Sequence, residues 1–147
     1  MAAAGVTADQ LDLIVVSTDT PDQLSPSTAS VVAYKLGATR AGTFDLNTAC
    51  AGLVTALDLA AKYIAADEQY DTILVVGAYA MSKWLNLDDY TIATLFADSA
   101  GAAIVRATKS GRGFLASYLY TAGEYHDHMG IYGGGMSMAG LVLEWGA

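Results

Sequence analysis

The chain has little of what would staple it together or draw it to a charged partner. It carries one cysteine, Cys50, in 147 residues, which excludes an intrachain disulfide and fits a reducing compartment. Basic residues number 7 against 15 acidic ones, for a formal net charge of −8. That balance argues against nucleic-acid binding driven by phosphate neutralisation. Charged residues make up only 15%, where about a quarter is usual for a free-standing soluble domain. So sparse a charge predicts a large interface; the alternative is an alanine- and glycine-rich soluble protein. No apolar run approaches the ~20 residues of a bilayer span, so no transmembrane helix is expected. Met1 to Gly5 lacks the basic start and apolar core of a signal peptide, and the expected location is cytoplasmic. No repeat or low-complexity linker interrupts the sequence. With 54% hydrophobic residues, the chain has enough apolar material for the core of one domain, 1–147.

The apolar residues fall into alternating strand and helix patterns. Residues 13–17 form a short β-branched run before the turn-forming stretch 18–26 and predict a buried strand. Ser25 and Pro26 offer an N-cap and a first helical residue, Val31, Val32, Tyr34 and Leu36 carry the apolar positions, and Gly37 closes the helix. Gly42 opens a second strand over residues 43–46. Leu53, Leu57, Ala60 and Ile64 then recur at helical spacing to about Ala66, with Asp58 and Lys62 spaced to pair on the exposed face. Further strands are predicted over 72–78, 104–106 and 114–120, and a loop over 81–90. Strands alternating with helices imply a layered α/β architecture with a mixed sheet.

Cys50 sits where the second strand turns into the helix, just after the two good N-caps Asn47 and Thr48. At a helix start, unpaired N–H groups and the positive end of the helix dipole favour the thiolate, the reactive form. Ala49, Ala51 and Gly52 leave space beside it. The opposing reading is an inert cysteine serving as a small hydrophobe. His126 and His128 lie two apart, but no third and fourth ligands accompany them at a recognisable spacing, so a polar loop is expected and no metal. Asp88 and Asp89 read as surface charge.

Several segments resemble, in order, the β-ketoacyl-acyl-carrier-protein synthase III family of thiolase-fold condensing enzymes. They are Gly5 to Asp22, the segment Phe44-Asp45-Leu46-Asn47-Thr48-Ala49-Cys50-Ala51-Gly52-Leu53, the strand Ile73-Leu74-Val75-Val76-Gly77-Ala78, and Leu95-Phe96-Ala97-Asp98-Ser99-Ala100-Gly101-Ala102-Ala103. Tyr132-Gly133-Gly134-Gly135-Met136-Ser137 resembles the family's terminal glycine-rich strand. Residues 1–128 thus resemble the nucleophile-bearing half, and residues 131–147 that terminal strand, in a partial thiolase-like domain.

The resemblance implies a thiolase-like α-β-α layering, incomplete relative to the family. It implies that Cys50 attacks an acyl thioester and forms an acyl-enzyme. A malonyl thioester then loses carbon dioxide and condenses with it, as in fatty-acid or polyketide synthesis. Backbone N–H groups of Cys50 and Gly134 form the implied oxyanion hole. Trp84, Leu85, Leu87 and Phe96 are candidates to line an acyl pocket, with simple core packing as the alternative. Acyl-coenzyme A and acyl carrier protein are the implied substrates, with no cofactor. An acidic carrier would have to use a basic patch drawn from Lys35, Arg40, Lys62, Lys83, Arg106, Lys109 and Arg112.

The chain also departs from the family. Glycine is usual at Ala97 and Ser99, where a turn is expected, and arginine is common at Tyr90. The His and Asn that assist decarboxylation and condensation in the family's second half have no counterpart here. Two alternatives follow. One is a noncatalytic half or subunit that binds a complementary chain; the other is cysteine-dependent acyl transfer without condensation. A homodimer is the expected assembly if the fold is complete.

Overall fold

A computed structural model describes residues 1–109 and 113–131. The chain divides into two units, Met1–Ser117 and Tyr118–Ala147. The first holds all the strands and α-helices described below.

Four strands form one mixed sheet in the order β2-β1-β3-β4: β1 Leu13–Ser17, β2 Gly42–Leu46, β3 Thr72–Ala80 and β4 Asp98–Arg106. Strand β1 pairs in parallel with β2 and β3, while β4 runs antiparallel to β3. Every residue of β1 is buried, because it is central and both faces of the sheet are covered. Successive side chains of a strand point to opposite faces. Ile14, Val16 and Leu74 accordingly meet Ala29 and Ala33 of α1 (Thr28–Leu36), and Leu13, Val15, Ile73 and Val75 meet Ala56 and Ala60 of α2 (Gly52–Ala66). The result is the expected α-β-α layering.

Helix α1 starts two residues later than the Ser25-Pro26 pattern predicts. Ser27 is its N-cap, accepting from the Ser30 N–H at 3.2 Å, and the Asp45 carboxylate accepts from the N–H groups of Thr28 and Ala29 at 2.6 and 2.8 Å. Gly37 closes the helix with φ 72°, as expected. The buried residues of α1 are Ala29 and Ala33, whereas Tyr34 is exposed. Small residues let the helix lie close to the sheet; Val32 packs partly against the same core, and Leu36, like Tyr34, is exposed.

Helix α2 ends at Ala66, as expected, but Asp58 does not lie on an exposed face. It is buried and accepts hydrogen bonds from Lys62 Nζ, at 2.7 Å, and from the Ser117 hydroxyl. The stretch Ala49–Ala66 reaches a mean hydropathy of 1.4 over 18 residues. By length and composition alone it could cross a bilayer, although no unbroken apolar run reaches ~20 residues. Here it packs on the sheet through Ala56, Leu57, Ala60 and Ile64.

Two other expectations are corrected. Strand β4 begins at Asp98, not near Ile104, so Asp98 to Gly101 is strand paired with β3 and not a turn. Residues 114–120 form no strand. Their alternation has no sheet partner, and Phe114, Leu115, Tyr118, Leu119 and Tyr120 are exposed. The loop predicted over 81–90 contains a 3₁₀ turn, Met81–Lys83, and ends as the short helix α3, Tyr90–Ala93, begins.

Candidate active site

The chain after β2 is bent by local chemistry. Asn47 Oδ1 accepts from the Ala49 N–H at 3.0 Å, and Ala49 takes a left-handed conformation, φ 46°, which costs an alanine about 1–2 kcal/mol. The 3₁₀ turn Ala49–Ala51 follows and runs directly into α2. Thr48 donates to Thr55 Oγ1, which donates to the Ala51 carbonyl, each at 3.0 Å. These bonds fasten the turn to the helix it introduces. Cys50 therefore lies one residue short of the N-cap of α2, in a strained turn and not in the first helical turn proper.

The turn is also held from below. Gly52 rests on Ser17, the last residue of β1, so closely that a Cβ there would stand 1.8 Å from Ser17 Oγ. Gly77, the partner of Ser17 in β3, faces Leu53, where a Cβ would stand in ordinary contact at 3.4 Å. Missing side chains bring α2 down onto the sheet end. Cys50, a free and exposed thiol, is left at the carboxyl ends of the parallel strands β1, β2 and β3, where open α/β sheets bind ligands.

A cavity of about 440 Å³ opens there. Cys50, Ala49 and Leu53 form one side of it, while Ala78, Tyr79, Ala97 and Ala100 bring in β3, β4 and the loop before β4. The lining is mostly small and apolar. It has the chemistry of a site for an uncharged chain beside a sulfur nucleophile.

Tyr79 is the largest of the lining residues that sequence reasoning missed. Its hydroxyl donates to Asp19 Oδ2 at 2.7 Å. Burial foremost, then the hydrogen bond and charge of Asp19, and finally the neighbouring Cys50 side chain, push its pKa well above the usual tyrosine value, so the phenol stays protonated. One signal was available. Tyr79 shares the side-chain parity of Gly77 in a strand whose alternate positions face α2.

Trp84, Leu85, Leu87 and Phe96 are not among the residues lining the cavity. Trp84 and Leu87 are exposed, and Leu85 and Phe96 are half-buried. The loop carrying the first three is pinned at its base by Asp98, which accepts from the Ser82 N–H at 2.8 Å and the Ser82 hydroxyl at 2.6 Å. Asp89 caps α3 through the Thr91 N–H at 3.0 Å. His126 and His128 follow the 3₁₀ turn Gly123–Tyr125, where the rings of Tyr125 and His128 lie 5.1 Å apart. Gly134 and the glycine-rich stretch from Tyr132 onward lie outside the described residues.

The chain is similar in sequence and fold to known proteins. Among solved structures, the 3-oxoacyl-(acyl-carrier-protein) synthase III of Aquifex aeolicus VF5 superposes with a TM-score of 0.71 at 35% identity, covering 74% of this chain and 35% of that one. The priming β-ketosynthase of the R1128 polyketide biosynthetic pathway does so with a TM-score of 0.70 at 39% identity, over 73% and 32%. Among curated proteins, β-ketoacyl-(acyl-carrier-protein) synthase III of Rhodospirillum centenum is 43% identical over 138 residues, covering 91% of this chain and 42% of the relative. The same enzyme from Xanthomonas campestris pv. campestris is 40% identical over 153 aligned positions, covering 99% and 46%. The chain thus spans less than half the length of these relatives. Residues 44–123, which include Cys50, α2 and strands β3 and β4, match the family model described as 3-oxoacyl-(acyl-carrier-protein (ACP)) synthase III, and the chain belongs to that family.

Proposed function

We propose that this chain carries the nucleophile of a condensing acyltransferase, with Cys50 forming an acyl-enzyme from an acyl thioester. The observation that carries the reading is the placement of Cys50: an exposed thiol in a strained turn before a 15-residue helix, opening on a small-residue cavity. Sγ attacks the thioester carbonyl carbon, the carbonyl electrons move to oxygen, and collapse expels the thiolate of coenzyme A or a carrier. The proton lost by Cys50 leaves on that thiol. The Cys50 N–H is the first oxyanion donor and the Gly134 N–H the second.

In the full reaction a malonyl thioester loses carbon dioxide. The resulting enolate attacks the acyl-cysteine carbonyl, forming the carbon–carbon bond and returning the Cys50 thiolate. No histidine or asparagine of these 147 residues is assigned to that step, so the chain's own groups account for acyl loading. Its substrates on this reading are acyl-coenzyme A and acyl carrier protein, in fatty-acid or polyketide synthesis in the cytoplasm, without a cofactor. A second copy or a complementary chain covers the apolar surface, a role supported by exposed Leu24, Leu87, Leu95 and Leu115.

The test is intact mass before and after mixing with acetyl-coenzyme A, with Cys50→Ala alongside. One acetyl group gained by the wild-type protein and none by the variant is the expected result. Undiminished acylation of Cys50→Ala would sink the proposal. Carbon dioxide release on adding malonyl thioester separates condensation from simple acyl transfer.

A further inference from the structure

Tyr79 borders two cavities. One is the Cys50 cavity; the other, of about 380 Å³, is bounded also by Thr18, Thr20, Thr28 and Asp98. Strand alternation gives Gly77 and Tyr79 the α2 side of the sheet end and Ala78 and Ala80 the α1 side. Strand β1 stops at Ser17, opposite Gly77, so beyond that register β3 lacks a neighbouring strand on its β1 side. The loop after β1 takes that place. Ala80 N–H donates to Thr20 Oγ1 at 2.9 Å, and the Tyr79 hydroxyl reaches Asp19 at 2.7 Å. The Tyr79 side chain is therefore tethered across the gap past the end of β1.

The two cavities share Ala78, Tyr79, Ser99 and Ala100, of which only Tyr79 is large, while Cys50 and Leu53 line the first alone and Thr18, Thr20, Thr28, Asp22 and Asp98 the second alone. Tyrosine suits such a boundary, its ring supplying the bulk and its hydroxyl the anchor on Asp19. We propose that Tyr79 is a specificity-determining partition that limits the length of the acyl group carried by Cys50, an inference that rests on the acyl-cysteine reading above. Shortening the side chain frees the volume of the ring and opens the Cys50 cavity toward the second one. Asp19 holds the ring in place, a positioning role exercised through Tyr79.

The experiment compares rates of Cys50 loading, by intact mass, for acetyl- and octanoyl-coenzyme A in the wild-type protein and in Tyr79→Ala, Tyr79→Leu and Tyr79→Phe. Tyr79→Ala and Tyr79→Leu raise the octanoyl-to-acetyl ratio by about tenfold, in the range one or two methylenes command in an apolar pocket. Tyr79→Phe, which keeps the ring but loses its tether to Asp19, raises the ratio less than either shortened side chain. Two variants guard against a single folding failure, since leucine retains much of the buried apolar volume. A ratio unmoved in both, with Cys50 still loaded, overturns the partition. Wild-type protein that takes no acyl group at Cys50 overturns the acyl-cysteine reading and the partition with it.

Discussion

Gly52 has no room for a methyl group. A Cβ there would stand 1.8 Å from Ser17 Oγ and 3.1 Å from Ser17 Cβ. Rotating the hydroxyl relieves the first clash and leaves the second, so the start of α2 must lift, and the turn holding Cys50 precedes it directly. Gly52→Ala is expected to destabilise the protein by about 1–3 kcal/mol, the usual cost of overpacking, and to slow acyl loading of Cys50. Adding Ser17→Ala should restore part of the stability, because those two sites share one contact. Urea unfolding of both single variants and the double variant measures the coupling; strictly additive effects would contradict the contact.

At the scale of elements, a carboxylate from one strand caps a helix seventeen residues earlier. Asp45 in β2 accepts from two N–H groups at the start of α1, satisfying donors that no earlier helical carbonyl can reach. Asp45→Ala is expected to cost about 1–2 kcal/mol, near the upper end for a lost N-cap. Asp45→Asn, with one acceptor oxygen, should fall between. Denaturant midpoints decide, and an unaltered midpoint for Asp45→Ala would show that the Ser27 cap suffices. Local pattern could not find this bond, and for that reason Ser25-Pro26 misplaced the helix start. Strand β4 was underread for a related reason. Asp98 to Gly101 is built of residues with low β propensity, and pairing with β3 makes it a strand.

Over the whole molecule the acidic residues make stability depend on acid. Lys62 foremost, then Ser117, hold Asp58 below the ordinary carboxylate value of 3.8. Ser82 does the same for Asp98, and Thr91 for Asp89. A carboxyl whose folded pKa lies below its unfolded one contributes stability that is fully present above the unfolded value and is lost as pH falls through the folded one. The unfolding midpoint should therefore be steady from pH 7 to 5 and drop below about pH 3.8. Asp58→Asn should flatten part of that drop. Urea unfolding as a function of pH tests this; a midpoint unmoved well below pH 3.8 would contradict it.

The sequence by itself determined the alternation of strands and helices, the buried run 13–17, the helix closure at Gly37, and the position of Cys50 between a strand and a helix. These follow from periodicity and backbone preference, which act over a few residues. Contacts between residues far apart in sequence lie beyond that range, and tertiary structure alone decided them. It buried Asp58, already spaced to pair with Lys62, where Ser117 meets it, and it left residues 114–120 without a strand to pair with. It also set Tyr79, tied to Asp19 sixty residues away, beside Cys50, while Trp84, Leu85, Leu87 and Phe96 fell outside the cavity lining. An apolar residue in a loop carries no local mark of the cavity it faces, because that cavity is formed by β3, β4 and the turn at Cys50 meeting in space.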